Sequence, residues 1–223
     1  LTQTVGGIDH GRALAARGRR VHVHLALDTG MHRLGILAEN RKEILGIPAS
    51  NLVVDGVFSH LYVSDSLEAE DVAYTQEQLT LFYDTVAWLR TAGYDPGKVH
   101  IQSSYGLWNL PAQPVTMSGL ESHSMEFEAM MRLFSEVLTA AGSVSPGQMA
   151  SIRTVQAGES AGYGRVFQAE QETKLAVVTI GYADGLPRDL PQRGGQVLIQ
   201  GRRCPMVGRM CMDQLLVDVS DLS

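Results

Sequence analysis

Val21-His22-Val23-His24-Leu25-Ala26-Leu27-Asp28-Thr29-Gly30 is the stretch that decides the fold. Its residues alternate through Asp28 in the two-residue period of a strand, and Thr29-Gly30 closes it. Upstream, residues 9–19 read as a short helix opened by Asp9 and frayed by Gly18. Downstream, a helical stretch around 38–46 leads to a second strand, Leu52–Phe58, followed by Ser59-His60. Residues 69–92 form the clearest helix: Leu79, Phe82, Val86 and Leu89 share a face, and Gly93 stops it. Lys98–Ile101 is a third strand, ending at Gln102-Ser103-Ser104. Strand, polar loop, helix, strand is the pattern of a parallel sheet. Asp28, His60, Ser103 and Ser104 all follow strand C-termini, where a (β/α) barrel puts its active site.

After residue 150 the texture changes. S-I-R-T-V, K-L-A-V-V-T-I, G-Q-V-L-I-Q and Q-L-L-V-D-V are short β-type runs separated by glycine-rich turns. The expected fold class is therefore α/β: a partial (β/α)8 TIM-type barrel over residues 1–144, then the start of a mostly β domain over 145–223.

Composition narrows the function. With 18 Lys plus Arg against 24 Asp plus Glu, the formal charge is −6, which argues against a nucleic-acid partner. Hydrophobic content of 44% is that of a globular chain. No apolar run is long enough for a membrane span, and Leu1-Thr2-Gln3-Thr4 does not open a signal peptide. The expected location is the cytoplasm, with room for a membrane domain upstream of residue 1. Cys204 and Cys211 read as a reduced pair. His22 and His24 alternate on one strand without a third metal ligand nearby in sequence.

Five ordered segments carry the chemistry: H-L-A-L-D-T-G-M-H-R-L-G-I (24–36), G-V-F-S-H-L-Y-V-S-D (56–65), A-G-E-S-A-G-Y-G-R (157–165), I-G-Y-A-D-G-L-P-R (180–188) and V-G-R-M-C-M-D-Q (207–214). Together they resemble the pyridoxal-phosphate alanine racemases, most of all the racemase domain of the vancomycin-resistance serine/alanine racemases. The resemblance covers nearly the whole chain apart from about residues 112–147.

The resemblance implies an isomerase that interconverts L- and D-alanine, or serine, by two-base proton transfer on pyridoxal 5′-phosphate. It implies a homodimer whose active sites are shared between subunits. One base is the Schiff-base lysine and the other the tyrosine of G-Y-G, here Tyr163, reaching into the partner's site. A phenol is a poor base near neutral pH unless its anion is stabilised. His60 matches the histidine beside the cofactor ring and Arg33 the arginine that helps orient the substrate carboxylate; both are expected to be catalytic with Tyr163. Ser104 matches the phosphate-binding serine. Tyr182, Met212 and Asp213 match second-domain residues at the substrate, Met212 through its backbone N–H.

The chain also departs from the family pattern. Its three lysines, Lys42, Lys98 and Lys174, lack the Schiff-base context. In the family that lysine precedes this segment by about a hundred residues, and a tyrosine that contacts phosphate lies beyond residue 223. The often carbamylated lysine is replaced by Ala26. At 116–127, T-M-S-G-L-E-S-H-S-M-E-F stands where the family has Y-V-R-P-G-I-A-L-Y-G, whose arginine bonds the pyridine nitrogen. Codons taken one base out of register from these residues can encode that family strand. The other offset lets 143–147 encode V-S-L-R-A, the family's entry to the second domain. The expectation is an internal frameshift over about 112–147, leaving an apolar helical face of Phe127, Met130, Met131, Phe134 and Leu138 and no function. The 223 residues alone are then expected to be inactive. Two alternatives stay open: a non-racemising cofactor-binding barrel protein, against which the β domain speaks, and an inactive pseudogene product.

Overall fold

In the computed structural model the described residues are 2–48, 50–101, 106, 109–110, 136–137 and 147–222. The chain divides into two compact units, Leu1–Phe127 and Glu128–Ser223.

The first unit runs β1 (Thr2–Val5), α1 (Ile8–Ala15), β2 (Val21–Asp28), β3 (Ile36–Leu37), α2 (Arg41–Gly46), β4 (Leu52–Phe58), α3 (Ala69–Thr91) and β5 (Lys98–His100). β1, β2, β4 and β5 lie side by side in chain order, every pair parallel, and two-residue β3 pairs with the end of β2. Right-handed crossovers that always step the same way put all helices on one face. The result is an arc of a barrel, because a doubly wound sheet would reverse its strand order.

Val23, Leu25 and Leu27 of β2 join Ile44 of α2 and Leu79, Phe82, Val86 and Leu89 of α3 in one buried cluster. Each such side chain contributes about 1.5–3 kcal/mol on burial. The alternate residues of β2 make polar contacts across the sheet. His22 Nδ1 meets Asp55 Oδ2 at 2.8 Å, and His24 Nδ1 meets His100 Nε2 at 3.2 Å. The His100 ring stacks on Phe58, centroids 4.9 Å apart. Among the described residues no group of three or more His, Cys, Asp or Glu could hold a metal ion.

Several boundaries differ from the sequence reading. α1 starts at Ile8 after Gly7 and ends at Ala15, so Asp9 sits inside its first turn, where a carboxylate suits the helix dipole. α2 is shorter than 38–46 because Asn40 caps it, its side chain accepting the Glu43 N–H. β1 and β3 are too short to show a period.

The second unit contains β6 (Glu136–Val137), β7 (Gly147–Val155), β10 (Thr173–Val178), β11 (Gln196–Ile199), β12 (Arg202–Val207) and β13 (Leu215–Asp218), with β8 (Ser160–Ala161) and β9 (Phe167–Gln168) paired in a separate hairpin. The six form one sheet in the order β11-β12-β13-β10-β7-β6, and its neighbouring strands are antiparallel. β12 escaped the sequence reading because Pro205 lies inside it, and proline argues against an interior strand. Pro205 is exposed and faces Gln196 across the ladder. Of the expected apolar helix near 127–138, only Glu136–Val137 are described. They form a strand opposite Gln148 and Gly147, because backbone pairing with β7 overrides side-chain periodicity there; the other positions lie outside the described residues. Cys204 and Cys211 are buried and unbridged. Among the described residues no helix is long and apolar enough to cross a membrane.

His10 gives the first unit an acid sensitivity. It is 8% exposed, its Nδ1 is without a hydrogen-bond partner, and burial pushes the imidazole below its ordinary value. As pH falls through about 6.5 the unfolded chain binds a proton that the folded one resists. The contribution is therefore full above that value and is lost as pH falls toward the lower folded value. The urea midpoint should drop between about pH 7.5 and about pH 5.5, and His10→Leu should shrink that drop. An identical drop in the variant would assign the sensitivity to another group.

Candidate active site

The C-terminal ends of β1, β2 and β4 open onto one cavity, lined by Thr4 and Gly6, by Ala26 and Asp28, and by Phe58, Ser59 and His60. Arg33, from the loop between β2 and β3, lines the same cavity. The structure thus brings Arg33 and His60 together. Ala26 is a small wall of this cavity.

The Arg33 loop is shaped by Asp28. Its side chain is wholly buried, and Oδ1 accepts the N–H groups of Gly30 and His32, both at 3.0 Å. The bond to Gly30 is the aspartate turn that D-T-G favours. His32 adopts φ 51°, costly for a residue with a Cβ, and its Nδ1 lies 3.7 Å from Asp28 Oδ2. Gly35 is required where the loop rejoins the sheet. A Cβ there would meet the backbone of Leu27 and Asp28 at 2.7 Å, while its N–H donates to the Gly6 carbonyl at 2.8 Å.

Four residues outside the expected site set knit the two loops. The Thr29 and Ser59 hydroxyls lie 2.8 Å apart, buried. Gln78 of α3 contacts Thr29, His60 and Tyr62. The Tyr74 hydroxyl donates to the Gly30 carbonyl at 2.9 Å. A polar residue on the apolar stripe of α3 was the available signal for Gln78.

In the second unit the remaining expected residues lie on short turns. Tyr163 opens one of them, between Gly162 (φ 74°) and Gly164 (φ 69°). A Cβ on Gly164 would lie 3.0 Å from the Arg209 guanidinium carbon, so a cation sits beside the turn. Further along the chain from Arg209, the Cys211 and Met212 carbonyls accept the N–H groups of Tyr182 and Ala183 at 3.1 and 2.9 Å. Gly181 touches the same backbone, where any Cβ would clash. Arg188 lies over the Tyr182 ring, 5.5 Å from its centroid. Met212 is 51% exposed and Asp213 is half-buried beside it. Ser104 lies outside the described residues.

A cavity at the strand ends of a parallel β/α arc, with an antiparallel domain following, defines a barrel-type protein. The alanine racemase N-terminal domain model matches residues 1–118 and the alanine racemase C-terminal domain model residues 146–223. The chain belongs to the alanine racemase family. It is 38% identical over 224 residues to an amino-acid racemase of Enterococcus faecalis, covering 100% of this chain and 32% of that protein. It is 35% identical over 229 residues to a serine/alanine racemase of Enterococcus gallinarum, covering 99% and 32%. A solved alanine racemase from Clostridium difficile 630 aligns with 98% of this chain and 58% of its own, with 26% identity and a TM-score of 0.46. The chain thus spans about a third of the length of the first relatives it matches.

The family implies pyridoxal phosphate. The donors at the cavity fit that group's anionic and ring portions: a guanidinium, an imidazole and a serine hydroxyl. They do not provide its covalent anchor. Lys42 and Lys98 are exposed on α2 and at the first residue of β5, Lys174 is exposed on β10 of the other unit, and none lines the cavity.

Proposed function

We propose that the chain supplies the later barrel strands (1–144) and the first part of the β domain (145–223) of a pyridoxal-phosphate-dependent amino-acid racemase. The substrate is L- or D-alanine, with serine as the alternative. The carrying observation is that the two family models match in order along the chain while Arg33 and His60 line one cavity at the strand ends.

The cofactor, when bound, supplies the electron sink that acidifies the substrate α-proton. This chain supplies part of the rest. Arg33 pairs with the substrate carboxylate, holding the α-carbon in place. His60 would hold the cofactor ring and Ser104 its phosphate. Tyr163 enters the site of a second copy and moves the proton on one face through its phenol oxygen. Tyr182, Asp213 and the Met212 backbone N–H complete that edge of the substrate pocket. The exposed Met212 and the locked turn beneath it suit a loop covered by the partner subunit of a homodimer.

The second base and covalent anchor is a lysine that these residues do not provide. Pyridoxal phosphate followed by borohydride should therefore label no single lysine of the 223-residue chain. Stoichiometric labelling of Lys42, Lys98 or Lys174 alone would overturn that assignment. A chimera tests the activity: residues 1–110 and 148–223 replace the matching residues of the Enterococcus faecalis relative. It should support growth of a D-alanine auxotroph and fail with Arg33→Met. Growth unaffected by Arg33→Met would remove the carboxylate role, and a folded chimera without racemisation would overturn the proposal.

A further inference from the structure

Gln78 is 1% exposed, on the stripe of α3 that also buries Thr75, Leu79 and Phe82. A buried amide is tolerated only with its hydrogen bonds made, so its partners explain its presence. Oε1 accepts the Tyr62 N–H at 3.1 Å. Nε2 donates to Thr29 Oγ1 and to the His60 carbonyl oxygen, each at 3.4 Å. Thr29 passes the contact on to Ser59 at 2.8 Å, and one helical turn earlier Tyr74 holds Gly30. One side chain therefore joins the loop after β2, which carries Arg33, to the loop after β4, which carries His60. A methionine would fill the same space with similar helix propensity and no polar group to satisfy, so packing does not explain an amide here.

We propose that Gln78 is a positioning residue: its amide fixes the spacing between the Arg33 and His60 loops across the mouth of the cavity. The roles of those two residues, Arg33 toward the substrate carboxylate and His60 toward the cofactor ring, rest on the racemase reading above; the coupling of the loops does not. An amide that merely served the core would, on removal, loosen the strands and α3 as well. A positioning amide releases the two loops and leaves the strands protected.

The test uses the full 223-residue chain with Gln78→Met and Gln78→Glu. Amide hydrogen exchange is read at residues 29–33 and 59–62. Binding is read with pyridoxine 5′-phosphate, which carries no aldehyde and so needs no lysine. In Gln78→Met, exchange in both loops should speed by about tenfold or more while β2 and β4 keep their protection. Binding should weaken by about tenfold, because the released loop no longer holds His60 in one geometry. Gln78→Glu keeps the acceptor for the Tyr62 N–H and can accept from the Thr29 hydroxyl, but it loses the donor to the His60 carbonyl, so Tyr62 should stay protected while the rest of 59–62 exchanges faster. Exchange at 29–33 unchanged in Gln78→Met, or acceleration spread equally through β2 and β4, would overturn the proposal. Should Gln78→Met fail to fold, Gln78→Glu and Tyr74→Phe read the same loops. The two readings fail separately. Parent binding that is absent, or indifferent to His60→Asn, removes the cofactor-holding reading of this cavity, and loop exchange still decides Gln78.

Discussion

Asp28→Ala should destabilise the first unit by about 2–6 kcal/mol, because it orphans two N–H groups at a fully buried carboxylate, each worth about 1–3 kcal/mol. The loss comes from the loop, since Asp28 ends β2 and an alanine would fit the strand without a clash. Without the carboxylate nothing compensates the positive φ of His32, and the turn that presents Arg33 relaxes. Asp28→Asn keeps one oxygen for both N–H groups and should cost about 1 kcal/mol. Urea unfolding followed by fluorescence of Trp88, half-buried on α3, gives both values. Equal losses for Asn and Ala would show that the charge matters and the two backbone bonds do not. A loss below about 0.5 kcal/mol for Ala, the range of ordinary surface changes, would remove the loop-shaping role altogether.

That loop shows what a sequence can and cannot display. β2, β4 and α3 were legible because their apolar patterns run for seven or more residues and end in Asp28, Ser59 and Gly93. Asp28 and His60 were legible as polar residues at the ends of parallel strands, and both line the cavity there. The wiring behind them was not. Gln78 lies 49 residues from Thr29 and 16 from Tyr62, and no local pattern announces those contacts. β1 and β3 were hidden for a different reason: at four and two residues they complete no period and exist through pairing with β2. In β12 local chemistry misled, because Pro205 breaks the strand propensity while its exposed position tolerates the missing donor. The expected site residues of the second unit came from family motifs. Geometry adds that Tyr182 is tied by backbone bonds to the Cys211-Met212 segment, so a change at either must move the other.

Tyr163→Phe should lower racemisation in the chimera by about 10²–10⁴-fold, the usual contribution of a positioned acid–base group. The substitution removes one oxygen and leaves the ring in its turn. The turn's shape is set by Gly162, Gly164 and the Arg209 side chain packed on it. Thermal stability and cofactor binding should therefore match the parent. The two faces of the α-carbon should separate. By family resemblance the tyrosine serves the L-enantiomer and the relative's lysine the D-enantiomer. Exchange of the α-proton with deuterated solvent should collapse for the L-substrate and persist for the D-substrate, while net racemisation, which needs both bases, falls in both directions. A variant within about threefold of the parent, or one that loses exchange equally on both faces, would take the proton-transfer role from Tyr163. The cation beside the turn supplies a second check. Arg209→Met keeps a long side chain against Gly164 but removes its charge, so it should slow L-face exchange more than D-face exchange if that charge favours the phenolate. Equal slowing on both faces would mean that Arg209 only packs the turn, leaving Tyr163 to be judged on its own substitution.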